Sequence, residues 1–435
     1  MFNPIHMFKS AIKMGTVVKG CLLGVTLVMG LAINSFSQQT VIREDTIVQK
    51  FYRHYPDSLY WFSNSESLKK ATDWLLMIES AAPWGIISDK KKTDQLHQAL
   101  LSNNSLDGIY KVQRDRQITG FVLNFIKTLQ EGDIQFDYDE VSKCRDSIYI
   151  DQLLGFKTHE YESVSAIVSR LDCKDHEYLV LKKYMNDSIP VTDSLRNKKI
   201  ALSMNYRRYF SVNHQPERIV VNIPETELRY YQRDFLKVKM KAVVGRKLSP
   251  TPTIASFVTN IQTFPNWNVP HTIGVKEILP HVKASANYLE QHNYDVVNSK
   301  GIVIDETTLN WKSYNEKNFP YYFRQAKGSR NSLGTIKFDL NNPFSIFLHA
   351  TSWQGAFAKD NRFLSHGCIR LEKPFVLADN LLSSEVNINK LKSSRKTKVA
   401  KTIVLVHKVP VFIMYNPVVV VGSKVIFLAD TYELL

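Results

Sequence analysis

One cysteine and one upstream histidine have the types and setting needed for nucleophilic catalysis. The stretch FLSHGCIRLEK, residues 363–373, places Cys368 directly after a His-Gly pair, and His349 ends the strand-like run SIFLH. A thiolate near neutral pH needs a neighbouring imidazole or a cluster of N–H donors. His366 is so close to Cys368 in sequence that we expect its side chain to point away from the sulfur. The sequence therefore predicts a Cys368–His349 pair, brought together by folding.

The residues around the thiol suggest how a reacting carbonyl would be held. No acid follows His349 closely, so a backbone carbonyl is the group that could orient the imidazole. Gly367 allows a tight turn and leaves room for a substrate carbonyl. The backbone N–H groups of His366, Gly367 and Cys368 could form an oxyanion hole, in which one donor is worth about 3–4 kcal/mol in other enzymes.

The N-terminus predicts export. Residues 1–20 carry Lys9, Lys13 and Lys19 without an acid, and the apolar run CLLGVTLVMGLAI follows. A basic start, a short apolar run and small residues behind it are typical of a signal peptide. We expect residues 1–37 to be a cleaved signal or an uncleaved anchor that tethers the chain to a membrane. Either form predicts an exported protein of the periplasm or cell envelope.

Charge and cysteine usage narrow the function classes. A net charge of +15 suits an anionic cell envelope. Nucleic acid is not expected as a partner, because the basic run at 390–401, interpreted as a solvated loop, has no interleaved aromatic residues. Cys144, Cys173 and Cys368 remain after the predicted leader, and an odd number suggests one reactive thiol. Whether Cys144 and Cys173 form a disulfide stays open, and no metal motif is found.

The chain changes character near residue 218, which predicts an α+β multidomain protein. Residues 41–217 are mostly helical in pattern, for example in SLKKATDWLLMIES, and we interpret them as a helical scaffold domain. Residues 218–435 contain short alternating runs typical of a β-sandwich-like or barrel-like domain. Within them, residues 264–328 are rich in proline and aromatics, and we interpret this segment as an insertion that could cover a site.

The stretch FLHATSWQGAFAKDNRFLSHGCIRLEKP resembles the active-site motif of the L,D-transpeptidases. The stretches VNIPETELRYY and NWNVPHTIGVKEILP look like the catalytic domain of the larger, multidomain members. The resemblance implies that Cys368 is the nucleophile and His349 the general base and acid. It also implies that the Ala350 carbonyl orients the imidazole, that His366 and Gly367 shape the oxyanion hole, and that residues 264–328 form a capping subdomain.

Further residues are expected at the site with less defined roles. Arg370 belongs to the family motif and either contacts a substrate carboxylate or forms a salt bridge that braces the loop. Ser365 is expected to hydrogen-bond within the loop, and Thr351 to line the pocket. The insertion adds candidate substrate-binding aromatics, although such residues are more often local core than a ligand platform: Trp311, Tyr321 and Tyr322.

The implied reaction is acyl transfer between peptidoglycan stem peptides. Cys368 would attack a tetrapeptide stem at its third residue, and an amine of a second stem would resolve the thioester into a 3→3 crosslink. The resemblance also implies acylation by carbapenems, without any cofactor. Hydrolysis at the same site would make an L,D-carboxypeptidase. The sequence is also compatible with a generic cysteine peptidase or a non-catalytic wall-binding module.

Overall fold

The structure is a computed structural model, and it describes residues 46–55, 59–102, 107–158, 162–190, 192–285, 287–328 and 330–435. The predicted signal or anchor, residues 1–37, lies outside the described residues. Those that are described fall in one compact unit. Across these ranges, no helix combines the length and the apolar character that crossing a bilayer requires.

The first part of the described chain is helical, as its apolar periodicity predicted. Its helices are α1 (Thr46–His54), α2 (Ser65–Glu79), α3 (Lys90–Leu101), α4 (Gly108–Glu131), α5 (Asp146–Thr158), α6 (Val164–Leu171), α7 (His176–Ser188) and α8 (Ser194–Val212). Asn64 caps α2 by accepting a hydrogen bond from the Ser67 N–H. Side chains at three- and four-residue spacing in α2, such as Ala71, Trp74 and Leu75, are buried in the helical core.

The second part is built on strands. The strands outside the insertion, with one short strand from the helical part, are β1 (Tyr138–Asp139), β2 (Arg218–Asn222), β3 (Glu227–Gln232), β4 (Phe235–Gly245), β5 (Ile254–Thr263), β10 (Ile336–Leu340), β11 (Leu348–His349), β12 (Phe363–Ser365), β13 (Ile369–Leu371) and β14 (Lys401–Met414). A separate hairpin near the C-terminus contains β15 (Val418–Val421) and β16 (Lys424–Phe427). The predicted order of a helical region followed by a sheet-rich region is confirmed.

The main sheet closes on itself. Its strand order is β1-β5-β10-β11-β13-β4-β3-β2-β14, and β14 also pairs with β5. The strand pattern favoured a sandwich-like or a barrel-like domain, and this hydrogen bonding is that of the barrel-like one. Its interior is filled by buried side chains such as Tyr230, Phe338 and Ile369. The hairpin between β3 and β4 turns at Arg233 and Asp234, whose φ angles of 50° and 65° are typical of a tight hairpin.

The helical part packs directly on this sheet. Tyr206 and Tyr209 of α8 share a buried cluster with Val220, Phe412 and Met414 of β2 and β14. The Tyr206 hydroxyl also accepts a hydrogen bond from the Tyr415 N–H at 3.1 Å. The last helix before the sheet ends at Val212 and β2 begins at Arg218, but a domain boundary at 217/218 stays a prediction because the two parts form a continuous packed body.

The segment predicted as an insertion has a small sheet and core of its own. Its elements are β6 (Trp267–Asn268), α9 (His271–Ile273), a π-helical turn (Gly274–Ile278), α10 (Leu279–Ala284), α11 (Tyr288–His292), β7 (Tyr294–Val297), β8 (Val303–Ile304) and β9 (Tyr322–Gln325). The strand order is β6-β9-β7-β8. Val296, Phe319 and Phe323 are buried at its centre, so the insertion is a folded subdomain.

Two local predictions were wrong. The basic run at 390–401 was interpreted as a loop, but most of it belongs to helix α13 (Glu385–Thr397), which follows α12 (Pro374–Leu381). Burial of Leu391 and Ser394 holds that helix against the sheet, while its lysines face solvent. The strand-like run SIFLH, residues 345–349, forms a strand only at Leu348–His349, because Ser345 has a φ of +56°, which an extended strand cannot include.

Candidate active site

Neighbouring strands bring the histidine and the cysteine motif together. Strand β11 pairs in parallel with β13, so that His349 lies opposite Arg370 and Leu348 opposite Ile369. The Ile369 N–H donates to the Phe347 carbonyl at 3.1 Å, which continues the pairing by one step. Because side chains alternate along strands, Cys368 and His349 belong to the same face of this pair. The sequence prediction that His349 approaches the cysteine turn from a strand agrees with this arrangement.

His349 is held as a neutral base. Its side chain is buried, and Nδ1 lies 2.5 Å from the Ala350 carbonyl oxygen. A carbonyl can only accept, so Nδ1 carries the proton and Nε2 keeps a free electron pair. Burial, assisted by the positive charges of Arg370 and Lys337, lowers the pKa of His349 to about 3. The imidazole is therefore uncharged at neutral pH, and its Nε2 has an electron pair that can accept a proton.

Cys368 is held as a thiol. The side chain is partly exposed, and Sγ–H donates to the Ser345 carbonyl oxygen at 3.6 Å. Desolvation of the sulfur raises the pKa of Cys368 to about 11, against the opposing effects of the Phe347 backbone and the charges of Lys337 and Arg370. The arrangement thus pairs a neutral thiol with a neutral imidazole, and proton transfer has to accompany attack on a substrate.

The backbone of the Ser-His-Gly-Cys turn is fixed by its carbonyl groups. All four carbonyl oxygens of residues 365–368 accept a hydrogen bond. In chain order, their donors are the Arg246 N–H at 2.9 Å, the Ser249 hydroxyl at 3.1 Å, the Thr251 hydroxyl at 2.7 Å and the Ser365 hydroxyl at 2.6 Å. Ser365 therefore acts as a loop hydrogen-bonder, as expected. The loop between β4 and β5 forms the support under the turn.

The amides of the turn are not equivalent. The Gly367 N–H donates to the Ser365 hydroxyl at 3.1 Å, so this donor is already used. Among the described residues, no acceptor pairs with the backbone N–H of His366 or of Cys368. Gly367 has a φ of +116°, a conformation that residues with a side chain rarely adopt. The turn thus leaves two amide donors next to the nucleophile.

Arg370 is a cation beside the thiol. Its Nε is buried without a hydrogen-bond partner, and burial lowers the pKa of the guanidinium. Within the ranges that the structure describes, no acid forms a salt bridge with Arg370, although such a bridge was one of its two expected roles. Lys337, opposite His349 in the β10–β11 pair, is neutralised by Asp339 at 2.6 Å. Arg370 is therefore the less neutralised of the two cations.

The other predicted site residues have varied surroundings. Thr351 is buried, and its hydroxyl accepts a hydrogen bond from the Trp353 N–H at 3.1 Å, which shapes the turn after His349. Trp311 and Tyr321 pack on the core of the insertion, while Tyr322 is 40% exposed on its β9 strand. No described contact joins these three aromatics to Cys368 or His349. Their assignment to substrate binding stays a prediction.

Several residues around the site were not found from the sequence. Glu277 of the insertion accepts from His366 Nε2 at 2.6 Å and from Arg246 at 3.1 Å. Ser345 supplies the carbonyl next to the thiol, and Thr251 supports Gly367. These contacts join distant segments, so residue spacing offered no signal for them. Elsewhere, Cys144 is exposed and Cys173 is buried, and both are free, which answers the disulfide question left open by the sequence.

Comparisons with known proteins show similarity to L,D-transpeptidases. Residues 216–421 match the model of the YkuD family, described as the L,D-transpeptidase catalytic domain. A Haemophilus influenzae protein named "Putative L,D-transpeptidase" is 28% identical over 384 residues, which cover 86% of this chain and 74% of that protein.

Solved structures with similarity to the chain include the Ldtfm–avibactam carbamoyl enzyme, with 12% identity, coverage of 46% of this chain and 50% of that chain, and a TM-score of 0.24. A Cys-to-Ser mutant of Enterococcus faecium L,D-transpeptidase has 13% identity, coverage of 46% and 51%, and a TM-score of 0.22. The chain thus spans about half of each of these two structures, and such low scores add nothing to the fold assignment. The matched residues 216–421 contain His349 and Cys368, so the predicted resemblance of this part of the chain to the L,D-transpeptidase catalytic domain is confirmed.

Proposed function

We propose that this chain is an exported peptidoglycan L,D-transpeptidase that forms 3→3 crosslinks through a Cys368 thioester. The observation that carries the proposal is the pairing of β11 with β13. It sets His349, with Nδ1 bound to the Ala350 carbonyl, on the same face as Cys368. A buried neutral imidazole beside a thiol is what general-base activation of a cysteine requires.

The acylation step follows from these groups. His349 Nε2 accepts the proton of Cys368 while the sulfur attacks the carbonyl carbon of the third stem residue. The backbone N–H groups of His366 and Cys368 are the donors left to stabilise the negative oxygen. The imidazolium then returns its proton to the nitrogen of the terminal D-Ala, the C–N bond breaks, and a thioester remains.

The second step reverses the roles. An amine of a neighbouring stem attacks the thioester carbonyl, and His349 removes the amine proton. The C–S bond then breaks, and the leaving Cys368 thiolate takes that proton from the imidazolium. The crosslink forms without a cofactor. Attack by water instead would give an L,D-carboxypeptidase. The ratio of transfer to hydrolysis therefore depends on how well water is excluded from the thioester. The folded insertion, whose Glu277 binds His366 of the turn, supports exclusion and hence transfer.

Arg370 gives the site a preference for anionic substrates. Stem peptides end in a carboxylate, and a guanidinium without an acid partner beside the nucleophile can bind such a group. We assign Arg370 to the substrate carboxylate on this basis. The wider net charge of +15 favours contact with an anionic cell envelope, in keeping with export to the periplasm or cell envelope.

The experiment is acylation by a carbapenem, followed by intact-protein mass spectrometry. The expected result is one adduct on the wild-type chain and none on Cys368→Ala. The acylation rate of His349→Gln should be lower by about 100-fold or more, because general-base catalysis accelerates reactions by about 10²–10⁴-fold. Cys144→Ser is the matched control and should acylate normally. Absence of an adduct on the wild-type chain would favour a wall-binding module. Analysis of muropeptides from reactions with purified stems then separates crosslinking from hydrolysis.

A further inference from the structure

The insertion contributes a charged residue to the cysteine turn. Glu277 lies in the π-helical turn Gly274–Ile278, and its Oε1 is 2.6 Å from His366 Nε2 and 3.1 Å from an Arg246 guanidinium nitrogen. Single π-helical turns inside helices are frequent at functional sites, because the extra residue changes where a side chain points. Gly274 begins this turn and packs against Phe323, so the turn is anchored in the core of the insertion.

These contacts form a connected set of hydrogen bonds around the residues that precede Cys368. The Arg246 N–H donates to the Ser365 carbonyl, and its guanidinium binds Glu277. Glu277 in turn binds the His366 ring, whose own carbonyl accepts from the Ser249 hydroxyl. His366 is thereby held at its side chain from the insertion and at its backbone from the β4–β5 loop.

Glu277 also makes the polar contacts that join the insertion to the rest of the described chain. Away from the connecting segments 264–266 and 326–335, every hydrogen bond and ion pair seen between the described part of the insertion and the rest of the chain involves Glu277. Burial acts to raise the pKa of Glu277, but the hydrogen bonds and charges of His366 and Arg246 outweigh it and lower the pKa. The carboxylate is therefore ionised at neutral pH and attracts both partners.

We propose that Glu277 is a positioning residue of the active site, which acts through His366 to hold the amide donors of the Ser-His-Gly-Cys turn. The inference rests on the proposed function, since these amides matter for the acyl-transfer transition state. It assigns the insertion a part in catalysis beyond covering the site. A displacement of the oxyanion donors by a fraction of an ångström weakens them mainly in the transition state, so the loss appears in the rate and not in binding.

The test measures carbapenem acylation of Glu277→Ala and Glu277→Gln against the wild-type chain. We expect the limiting acylation rate of Glu277→Ala to fall by about tenfold or more, as for a weakened oxyanion donor, while the carbapenem concentration at half-maximal rate changes little. Glu277→Gln keeps the side-chain shape and loses the charge, so its limiting acylation rate should lie between those of the wild-type chain and Glu277→Ala. Glu290→Ala is the matched control, because Glu290 is an exposed acid of the same insertion.

A double-mutant cycle separates positioning from general stabilisation. If Glu277 acts through His366, adding Glu277→Ala to His366→Ala should cause little further loss. Additive losses, or a Glu277→Ala rate within twofold of the wild type, would overturn the proposal.

Hydrogen exchange of the peptide that contains residues 363–373 provides a readout that does not depend on chemistry. We expect faster exchange at the turn in Glu277→Ala and Glu277→Gln but not in Glu290→Ala. Failure of the wild-type chain to acylate would count against the proposed function, whereas unchanged exchange in both Glu277 variants would count against the positioning role. Since Glu277→Gln preserves side-chain volume, it keeps the test decisive if Glu277→Ala folds poorly.

Discussion

His349 and Arg370 lie directly opposite each other in the parallel β11–β13 pair, so a guanidinium faces the imidazole that must accept a proton. After burial, this positive charge is the next largest cause of the low pKa of His349. The same charge favours the thiolate of Cys368. Arg370 thus disfavours a charged base in the resting site and favours the anionic nucleophile.

Replacing Arg370 with Gln should raise the pKa of His349. The base is active when neutral, so the lower limit of its working pH lies near its pKa of about 3 and should move to higher pH in the variant. Titration of the His349 ring by NMR measures the change directly, and the acid limb of kcat/KM should follow it. Arg395→Gln removes a surface arginine paired with Asp379 and serves as the control. An unchanged His349 pKa in Arg370→Gln would contradict this electrostatic account.

The resting thiol should react slowly with simple alkylating agents. With a pKa of about 11, Cys368 is overwhelmingly protonated at pH 7, and its rate of reaction with iodoacetamide should keep rising with pH well above 9. Mass spectrometry of the peptide that carries Cys368 gives this rate separately from Cys144. Because His349 is neutral, His349→Gln should leave the thiol pKa nearly unchanged. A rate that reaches its plateau near pH 7 would instead indicate a preformed thiolate–imidazolium pair.

The proximity of His349 to the cysteine turn was predictable because its signals are local. His349 ends a run with strand periodicity, and Gly367 and Cys368 belong to one short motif, so the sequence contains both halves of the pair. Local patterns thus predicted the element types and the candidate nucleophile.

The support of the turn was not predictable from spacing. Glu277 reaches His366 only because a π-helical turn of a separately folded insertion packs near the catalytic loop. Ser345 reaches the thiol through its carbonyl, which every residue type has, so its identity carries no signal. The basic helix α13 was missed because its buried face is narrow and the lysines dominate its composition. In each case tertiary packing decides the outcome.

Gly367→Ala should lower both stability and activity. The φ of +116° is unfavourable for alanine, and the added Cβ would lie 3.2 Å from Ile346 Cδ1. A conformation of this kind costs about 1–3 kcal/mol, which thermal or denaturant unfolding can measure. The acylation rate should fall further than stability implies, because the adjacent amide donors shift. Gly355→Ala is the matched control, since the nearest atom to its added Cβ, Trp353 Nε1, would lie at an ordinary 3.5 Å. Equal stability of the two variants would show that the turn relaxes freely.

Thr251→Val should loosen the support under the nucleophile without changing side-chain size. The buried Thr251 hydroxyl accepts from the Gly245 N–H at 2.8 Å and donates to the Gly367 carbonyl at 2.7 Å. Valine leaves both backbone groups unpaired in a buried setting, and at about 1–3 kcal/mol for each group we expect a loss of about 2–6 kcal/mol in unfolding free energy. Thr402→Val, at an exposed position of β14, should change it by less than about 0.5 kcal/mol. The same hydroxyl holds the carbonyl that precedes Cys368, so carbapenem acylation of Thr251→Val should also be slower than that of the wild-type chain. A normal acylation rate in a destabilised variant would mean that the Gly367 carbonyl does not set the position of the thiol.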